Sequence, residues 1–186
     1  MHGLMFREFL MFAEDATSKG FVQDMLRALG DTNTDGYDAP GPYDQEELIG
    51  MMGFLAQRTG YEFDELCNDF GRRLFERFTV LHPEVFLNQT MALDFLQQVE
   101  THIHEQMRTI TPNCKPPRFD VQRQSQNTLI MHYRSDRPFA DLCAGLIQAA
   151  LEHFGFNGHV DRQSIGETKS EAVFTITAGN QRQENL

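Results

Sequence analysis

Apolar side chains recur at helical spacing through the first half of the chain. Phe6, Phe9, Leu10, Phe12 and Ala13 mark one stripe, and Phe21, Met25, Leu26 and Leu29 mark a second that Gly30 closes. Residues 31–44 break the period with Asp, Asn, Gly and Pro in quick succession, the signature of a loop. After Asp44 the stripe of Leu48, Met51, Met52, Leu55 and Ala56 predicts a third helix ending at Gly60. Leu66, Phe70, Leu74, Phe75 and Phe78 predict a fourth, from Asp64 to about Val80. A turn or short helix around Pro83 leads into a long helix from about Thr90 to Thr111. Pro112, then Pro116 and Pro117, must end it, because proline lacks the backbone donor and clashes with the preceding turn.

The period then changes. Residues 119–122 and 128–134 alternate or carry β-formers, with Ser125, Gln126 and Asn127 between them as a turn. Arg137-Pro138 marks the start of a helix running to about His153, with Leu142, Leu146, Ile147 and Leu151 facing inward. Residues 159–165 and 172–177 read as two more strands, and the tail is polar from Gly179 onward. Helices followed by a small antiparallel sheet give an α+β fold, with no internal repeat.

Composition narrows the field. Sixteen Lys and Arg against 27 Asp and Glu leave a formal charge of −11, and the pI is about 5.0. No basic surface offsets phosphate repulsion, so neither nucleic acid nor an anionic lipid surface is an expected partner. The start of the chain has no basic leader followed by an apolar run, and no stretch of 18 apolar residues exists. Cys67, Cys114 and Cys143 are far apart with no Cys-x-x-Cys, as expected of reduced thiols in a cytoplasmic protein. Sixteen Phe, nine Met, four Tyr and no Trp build a soft apolar interior with few polar handles. Such an interior suits an ordinary core and is compatible with a flat hydrophobic ligand.

Three features offer chemistry. Residues 31–36, Asp-Thr-Asn-Thr-Asp-Gly, open like a calcium-binding EF-hand loop, but the ninth position is Ala39 and the twelfth is Pro42 where a bidentate Glu is needed. A solvated turn is the better reading. His102 and His104 lie in the long helix two positions apart, roughly 200° around it, so they cannot chelate one metal together. One of them can serve as a single axial ligand through a neutral imidazole nitrogen, and the apolar stripe of Phe95, Val99, Ile103 and Met107 does not choose between them. Tyr133, Ser135 and Arg137, if extended, project from one face about 7 Å apart. A phenol, a hydroxyl and a guanidinium on one side suit carboxylates, either internal Asp or Glu or those of a ligand.

Together these features resemble the heme nitric oxide/oxygen binding (H-NOX) domains, relatives of the heme domain of soluble guanylate cyclase. The resemblance runs from Met1-x-Gly3 to the final strand, and its most specific motif is Tyr133-x-Ser135-x-Arg137. That motif follows a histidine-bearing helix ended by prolines and precedes a helix opened by Arg-Pro. The resemblance implies one domain over residues 1–180, with a helical distal lobe over about 1–60 and an α/β proximal lobe over about 61–180. Residues 181–186 form a polar tail. A heme b, bound between the lobes, is the implied cofactor. By its distance to Pro112, His104 aligns with the axial ligand of the heme iron, and Pro117 with the proline that distorts the heme. Tyr133, Ser135 and Arg137 align with the groups that bind the heme propionates.

The family's oxygen-binding members carry a distal tyrosine nine residues beyond the motif tyrosine, which here is Leu142. Its supporting positions align with Phe9 and Leu74, neither of which donates a hydrogen bond. Met5, Phe9, Leu74, Phe78 and Leu142 would form an apolar distal lining, as in sensors of NO that also take CO. The implied role is a switch rather than catalysis, in which release of His104 lets its helix shift and the heme relax against Pro117. The chain stops just past the domain, so a separate protein, a histidine kinase or a cyclic-di-GMP enzyme, is the expected reader. A zinc site of the kind some members build from cysteines is not expected, with Cys143 alone in that region. The rival readings are an oxygen-binding heme sensor and a heme-free interaction module.

Overall fold

A computed structural model describes residues 3–30, 37, 43–87, 89–110 and 115–181. Eight helices and four strands appear among them: α1 (Gly3–Ala16), α2 (Lys19–Ala28), α3 (Gln45–Thr59), α4 (Phe63–Leu81), α5 (Pro83–Phe86), α6 (Ala92–Gln98), α7 (Glu105–Ile110), β1 (Arg118–Ser125), β2 (Thr128–Arg134), α8 (Ala140–His153), β3 (Phe156–Ile165) and β4 (Glu171–Gln181). The EF-hand-like stretch, Pro112, Cys114 and residues 182–186 of the polar tail lie outside the described residues, and β4 continues to Gln181, where the sequence predicts the tail to begin.

Local chemistry sets the helix ends. Ser18 accepts a hydrogen bond from the Phe21 amide and opens α2, and Asp44 accepts from the Glu46 amide and opens α3. Gly60 ends α3 with φ at +76°, a left-handed turn that costs glycine nothing. The long helix expected between Thr90 and Thr111 is not uniform. α6 passes into a π-helical turn, Val99–His104, before α7 resumes α geometry.

The sheet is antiparallel throughout, in the order β1-β2-β4-β3. On β2, Leu129, Met131 and Tyr133 are buried and alternate with residues that are half-buried or exposed; on β4, Ala172, Phe174, Ile176 and Ala178 are buried. One face of the sheet is thus apolar, and α6 and α8 cover it with Leu93, Phe95, Leu96, Ile147, Ala150 and Leu151. A second core joins α1, α2 and α3 through Phe6, Phe9, Met25, Leu48, Met52 and Leu55.

Two helices serve both cores. α4 gives Leu66, Cys67, Phe70 and Leu74 to the helical core and Phe75 to the sheet core. α8 gives Leu142 to the first and Cys143, Ile147 and Leu151 to the second. α4 and α8 cross in close contact at two glycines. A Cβ on Gly71 would lie 2.1 Å from the Leu142 carbonyl oxygen, and one on Gly145 would lie 2.0 Å from that of Asn68.

Candidate functional site

The π-helical turn decides where the two histidines point. Its i→i+5 hydrogen bonding, closed by the Glu105 amide on the Glu100 carbonyl, inserts extra backbone into the turn and changes the rotation of the residues beyond it. His102 faces solvent, its Nδ1 3.0 Å from the Thr101 hydroxyl. His104 turns toward the sheet, with 13% of its side chain exposed. Its ring stacks on Phe119 of β1 at 5.5 Å between centroids and 22° between planes. Phe119 pairs with Tyr133 across the β1–β2 ladder, and their rings are 5.8 Å apart. The helix histidine and the motif tyrosine are therefore joined through one aromatic side chain.

A carboxylate organises the same corner. Glu100 Oε1 accepts from Arg108 Nη1 at 2.8 Å, and Oε2 accepts from the Phe119 amide at 3.1 Å. Arg108 Nη2 in turn donates to the Pro117 carbonyl at 3.1 Å. Glu100, Arg108 and the start of β1 thus form one clamp around His104. His104 Nδ1 lies 3.5 Å from Glu100 Oε2 and is buried without a hydrogen bond. An unpaired buried donor costs about 1–3 kcal/mol. Burial holds the His104 imidazole below its ordinary pKa, with the Glu100 carboxylate opposing. The neutral ring, the form that offers a lone pair to a metal, is favoured. Burial also raises the Glu100 carboxyl, but Arg108, the Phe119 amide and His104 more than reverse that, and the group is held below the usual carboxylate range.

The motif residues come to the same end of the sheet. Tyr133 points into the core from β2, and burial pushes its phenol up, the Ser135 hydroxyl partly opposing. The strand stops at Arg134. Ser135 still donates its amide to the Ser170 carbonyl at 2.9 Å, and its hydroxyl accepts from the Arg137 amide at 3.2 Å, which turns the chain toward α8. Arg137 Nε donates to Gln45 Oε1 at the first residue of α3, 2.5 Å away, and its Nη1 donates to the Lys115 carbonyl at 3.1 Å. Arg137 therefore bridges the helical region and the approach to β1.

The apolar positions singled out from sequence also gather. Phe9, Leu74 and Leu142 are buried in the helical core, and Met5 and Phe78 pack against it half-buried. Phe9 meets Phe70 edge-on at 5.2 Å. Tyr37 is buried in the same core, stacked on Phe6 at 4.4 Å, and its hydroxyl donates to Glu47 Oε2 at 3.3 Å. A separate groove of about 150 Å³ between α4 and α8 is lined by Arg72, Phe75, Glu152 and His153 and holds none of these residues.

Sequence reasoning missed Glu100, Arg108, Phe119 and Gln45. Glu100, His104 and Arg108 are spaced by four, a ladder that helix geometry places on one side, and that signal was available. Nothing in the sequence marks Phe119 or Gln45, whose roles arise from strand register and from contacts distant in sequence. The donor set fits a heme. His104 offers one largely buried imidazole nitrogen suited to a single iron ligand, and the Ser135 hydroxyl and Arg137 guanidinium lie where the strand of Tyr133 ends, donors suited to carboxylates.

Known proteins resemble this chain in sequence and in fold. A family model described as Haem-NO-binding matches residues 2–161. Soluble guanylate cyclase 89Db of Drosophila melanogaster is 27% identical over 119 residues, 62% of this chain and 18% of that protein. The chain thus spans under a fifth of that relative's length. Among solved structures, the Fe(II) unliganded H-NOX protein from K. algicida is 26% identical with a TM-score of 0.89, each chain covered in full. The H-NOX of Shewanella woodyi, in an IWP-051-bound Fe(II)CO state, is 26% identical with a TM-score of 0.84, covering 100% of this chain and 98% of that one.

Proposed function

Given that the chain belongs to the Haem-NO-binding (H-NOX) family of heme-based gas-sensing domains, we propose that it is a sensor of NO, and of CO, which binds heme b through His104 and signals to a separate protein. The observation that carries this reading is His104 itself: a largely covered imidazole whose neutral form is favoured, stacked on Phe119 of the strand that pairs with that of Tyr133 and clamped beside Pro117. Ferrous heme supplies an iron with one open coordination position for a diatomic gas.

The residues of this chain do the rest. With Nδ1 turned inward toward Glu100, Nε2 is the nitrogen His104 presents to iron. Tyr133, Ser135 and Arg137 would hold the two propionates through their hydroxyl and guanidinium donors. Pro117, whose carbonyl accepts from Arg108, would press on the macrocycle. Met5, Phe9, Leu74, Phe78 and Leu142 exclude water on the gas side and offer no hydrogen-bond donor. Bound dioxygen depends on such a donor more than NO or CO does, so the lining selects against it. Tyr37, the buried tyrosine of that core, donates to Glu47.

Movement of His104 is transmitted along two routes. One is the π-helical turn into α6 and α7; the other is Glu100 and Arg108 into Pro117 and β1. A bistable element of this kind, biased by the gas, is what a partner reads. That partner is a histidine kinase or a cyclic-di-GMP enzyme, and catalysis lies with it rather than with this chain.

Spectra of the purified protein supplied with heme test the reading. A Soret band is expected for wild type and His102→Ala, and the histidine-ligated ferrous form is lost in His104→Ala. NO and CO each shift the ferrous spectrum, whereas air oxidises it. Absence of any Soret band overturns the sensor assignment. A ferrous protein that air converts to a stable new form overturns the apolar-pocket reading and makes the chain an oxygen sensor.

A further inference from the structure

The clamp around His104 holds Glu100 in a geometry that its place on the transmission route does not explain. Glu100 is anchored on both oxygens, by Arg108 at 2.8 Å and by the Phe119 amide at 3.1 Å. A carboxylate that only needed a counter-ion would be served by Arg108. Instead Oε2 is held 3.5 Å from His104 Nδ1, the ring nitrogen that is buried with no hydrogen bond. The two side chains are 16% and 13% exposed, so water is a poor substitute partner for either. A small rotation of the imidazole brings Nδ1 to hydrogen-bond distance of Oε2.

We infer that Glu100 is a positioning residue for His104: its carboxylate accepts the Nδ1 proton in a hydrogen bond, fixes the tautomer that leaves Nε2 free, and strengthens the hold of Nε2 on iron. The inference rests on the heme reading of His104. Its physical basis is general. A carboxylate accepting from the far nitrogen of a metal-bound imidazole raises the basicity of the near one and orients the ring, and losing such a partner costs roughly 10–100-fold in metal affinity. Because Arg108 and the Phe119 amide fix the carboxylate, ring and acceptor are aligned before the cofactor binds. Glu100 therefore opposes release of His104 and sets how strongly a gas ligand must pull to free it. The competing acceptor is the Pro117 carbonyl, which takes one bond from Arg108 and has a second lone pair within reach of His104.

Glu100→Gln and Glu100→Ala, compared with wild type and with Arg108→Ala, test this. In the heme-loaded ferrous protein, resonance Raman reads the iron–histidine stretch. It is expected to fall to lower wavenumber in Gln and further in Ala, while Arg108→Ala, which keeps the carboxylate, moves it less. Transfer of heme to an apo-acceptor protein is expected to be about 10-fold faster or more in Glu100→Ala. In the NO complex, the histidine-free fraction is expected to rise in both Glu100 variants. Fifteen-nitrogen NMR of the His104 ring in the heme-free protein reports the tautomer, which is expected to lose its preference in Glu100→Ala. An unchanged stretch and tautomer in both variants overturn the inference and assign the Nδ1 proton to the Pro117 carbonyl. If no variant and not even wild type takes up heme, the proposed function fails, and the tautomer measurement alone then decides whether Glu100 orients His104.

Discussion

Cys67 and Cys143 are buried among apolar side chains, and that placement governs their reactivity. Burial, assisted by the Asp141 and Asp64 carboxylates, pushes the Cys67 thiol up to about 12, and burial alone raises that of Cys143. Both are protonated at neutral pH and poor nucleophiles. In a Cys114→Ser background, a disulfide reagent is expected to leave both unmodified until the chain unfolds; prompt labelling of either in the native state contradicts the burial argument. The same shift ties stability to pH. Above the ordinary thiol value of 9.0 the unfolded chain releases its protons, while the folded chain keeps that of Cys67 to about 12. The folded state then binds more protons, so stability is whole below about pH 9 and is lost as pH rises toward about 12. Urea midpoints are expected to fall from neutral pH to about pH 11, and to fall less in Cys67→Ala.

Glu8 shows the same logic for a charge. Its side chain, 1% exposed, meets Arg77 Nε at 2.7 Å across α1 and α4, and Oε1 has no hydrogen bond among the described residues. Removing the guanidinium leaves the buried carboxylate with only the distant Arg7 at 3.8 Å, whereas replacing both members removes the poorly met charge as well. Arg77→Ala is therefore expected to lower the urea midpoint more than the double substitution Glu8→Leu with Arg77→Ala. An equal or smaller loss in the single variant refutes the pairing argument.

At the scale of elements, the crossing of α4 and α8 and the π-helical turn each rest on one local feature. Gly71 and Gly145 let two backbones meet where a methyl group would sit about 2 Å from a carbonyl oxygen. Overpacking of this kind costs about 1–3 kcal/mol, and each kcal/mol lowers Tm by about 2–4 °C in a chain of this size. Gly145→Ala is expected to show that loss in a thermal melt, and Gly71→Ala to add a change in the pocket at Leu142. An unchanged Tm in both would show that the helices separate freely. Deleting Thr101 brings the Glu105 amide and the Glu100 carbonyl to the four-residue spacing of an α-helix, so the residues beyond the turn keep their face. Heme binding is expected to survive the deletion with an intact circular dichroism spectrum, and its loss would show that the turn itself positions His104.

For the whole molecule, the two cores share α4 and α8, so neither can lose its packing without disturbing the other. Arg137 adds a polar tie from the motif to α3. Urea unfolding followed by far-ultraviolet circular dichroism and by tyrosine fluorescence is expected to give one coincident transition. Two separated transitions would mean that the cores are independent folding units.

Much of this was legible in the sequence, because it depends on short-range periodicity. The stripes at 6–13, 21–29, 48–56 and 66–78, the change to strands after residue 118 and the helix after Arg137-Pro138 all derive from side-chain spacing that local backbone geometry must satisfy. The Tyr-x-Ser-x-Arg motif and the helix histidine pointed to the family for the same reason: their spacing is local. What the sequence left open was direction. The apolar stripe beside His102 and His104 does not choose between them, and in the structure His104 packs on Phe119 of β1 while His102 faces solvent. Likewise Ser135 and Arg137 do not continue the strand of Tyr133, because the Ser135 hydroxyl captures the Arg137 amide and turns the chain. Phe119 meets His104 through register, and Gln45 meets Arg137 across 92 residues. Periodicity reports which face of an element is apolar, and the tertiary fold alone brings those faces to one site.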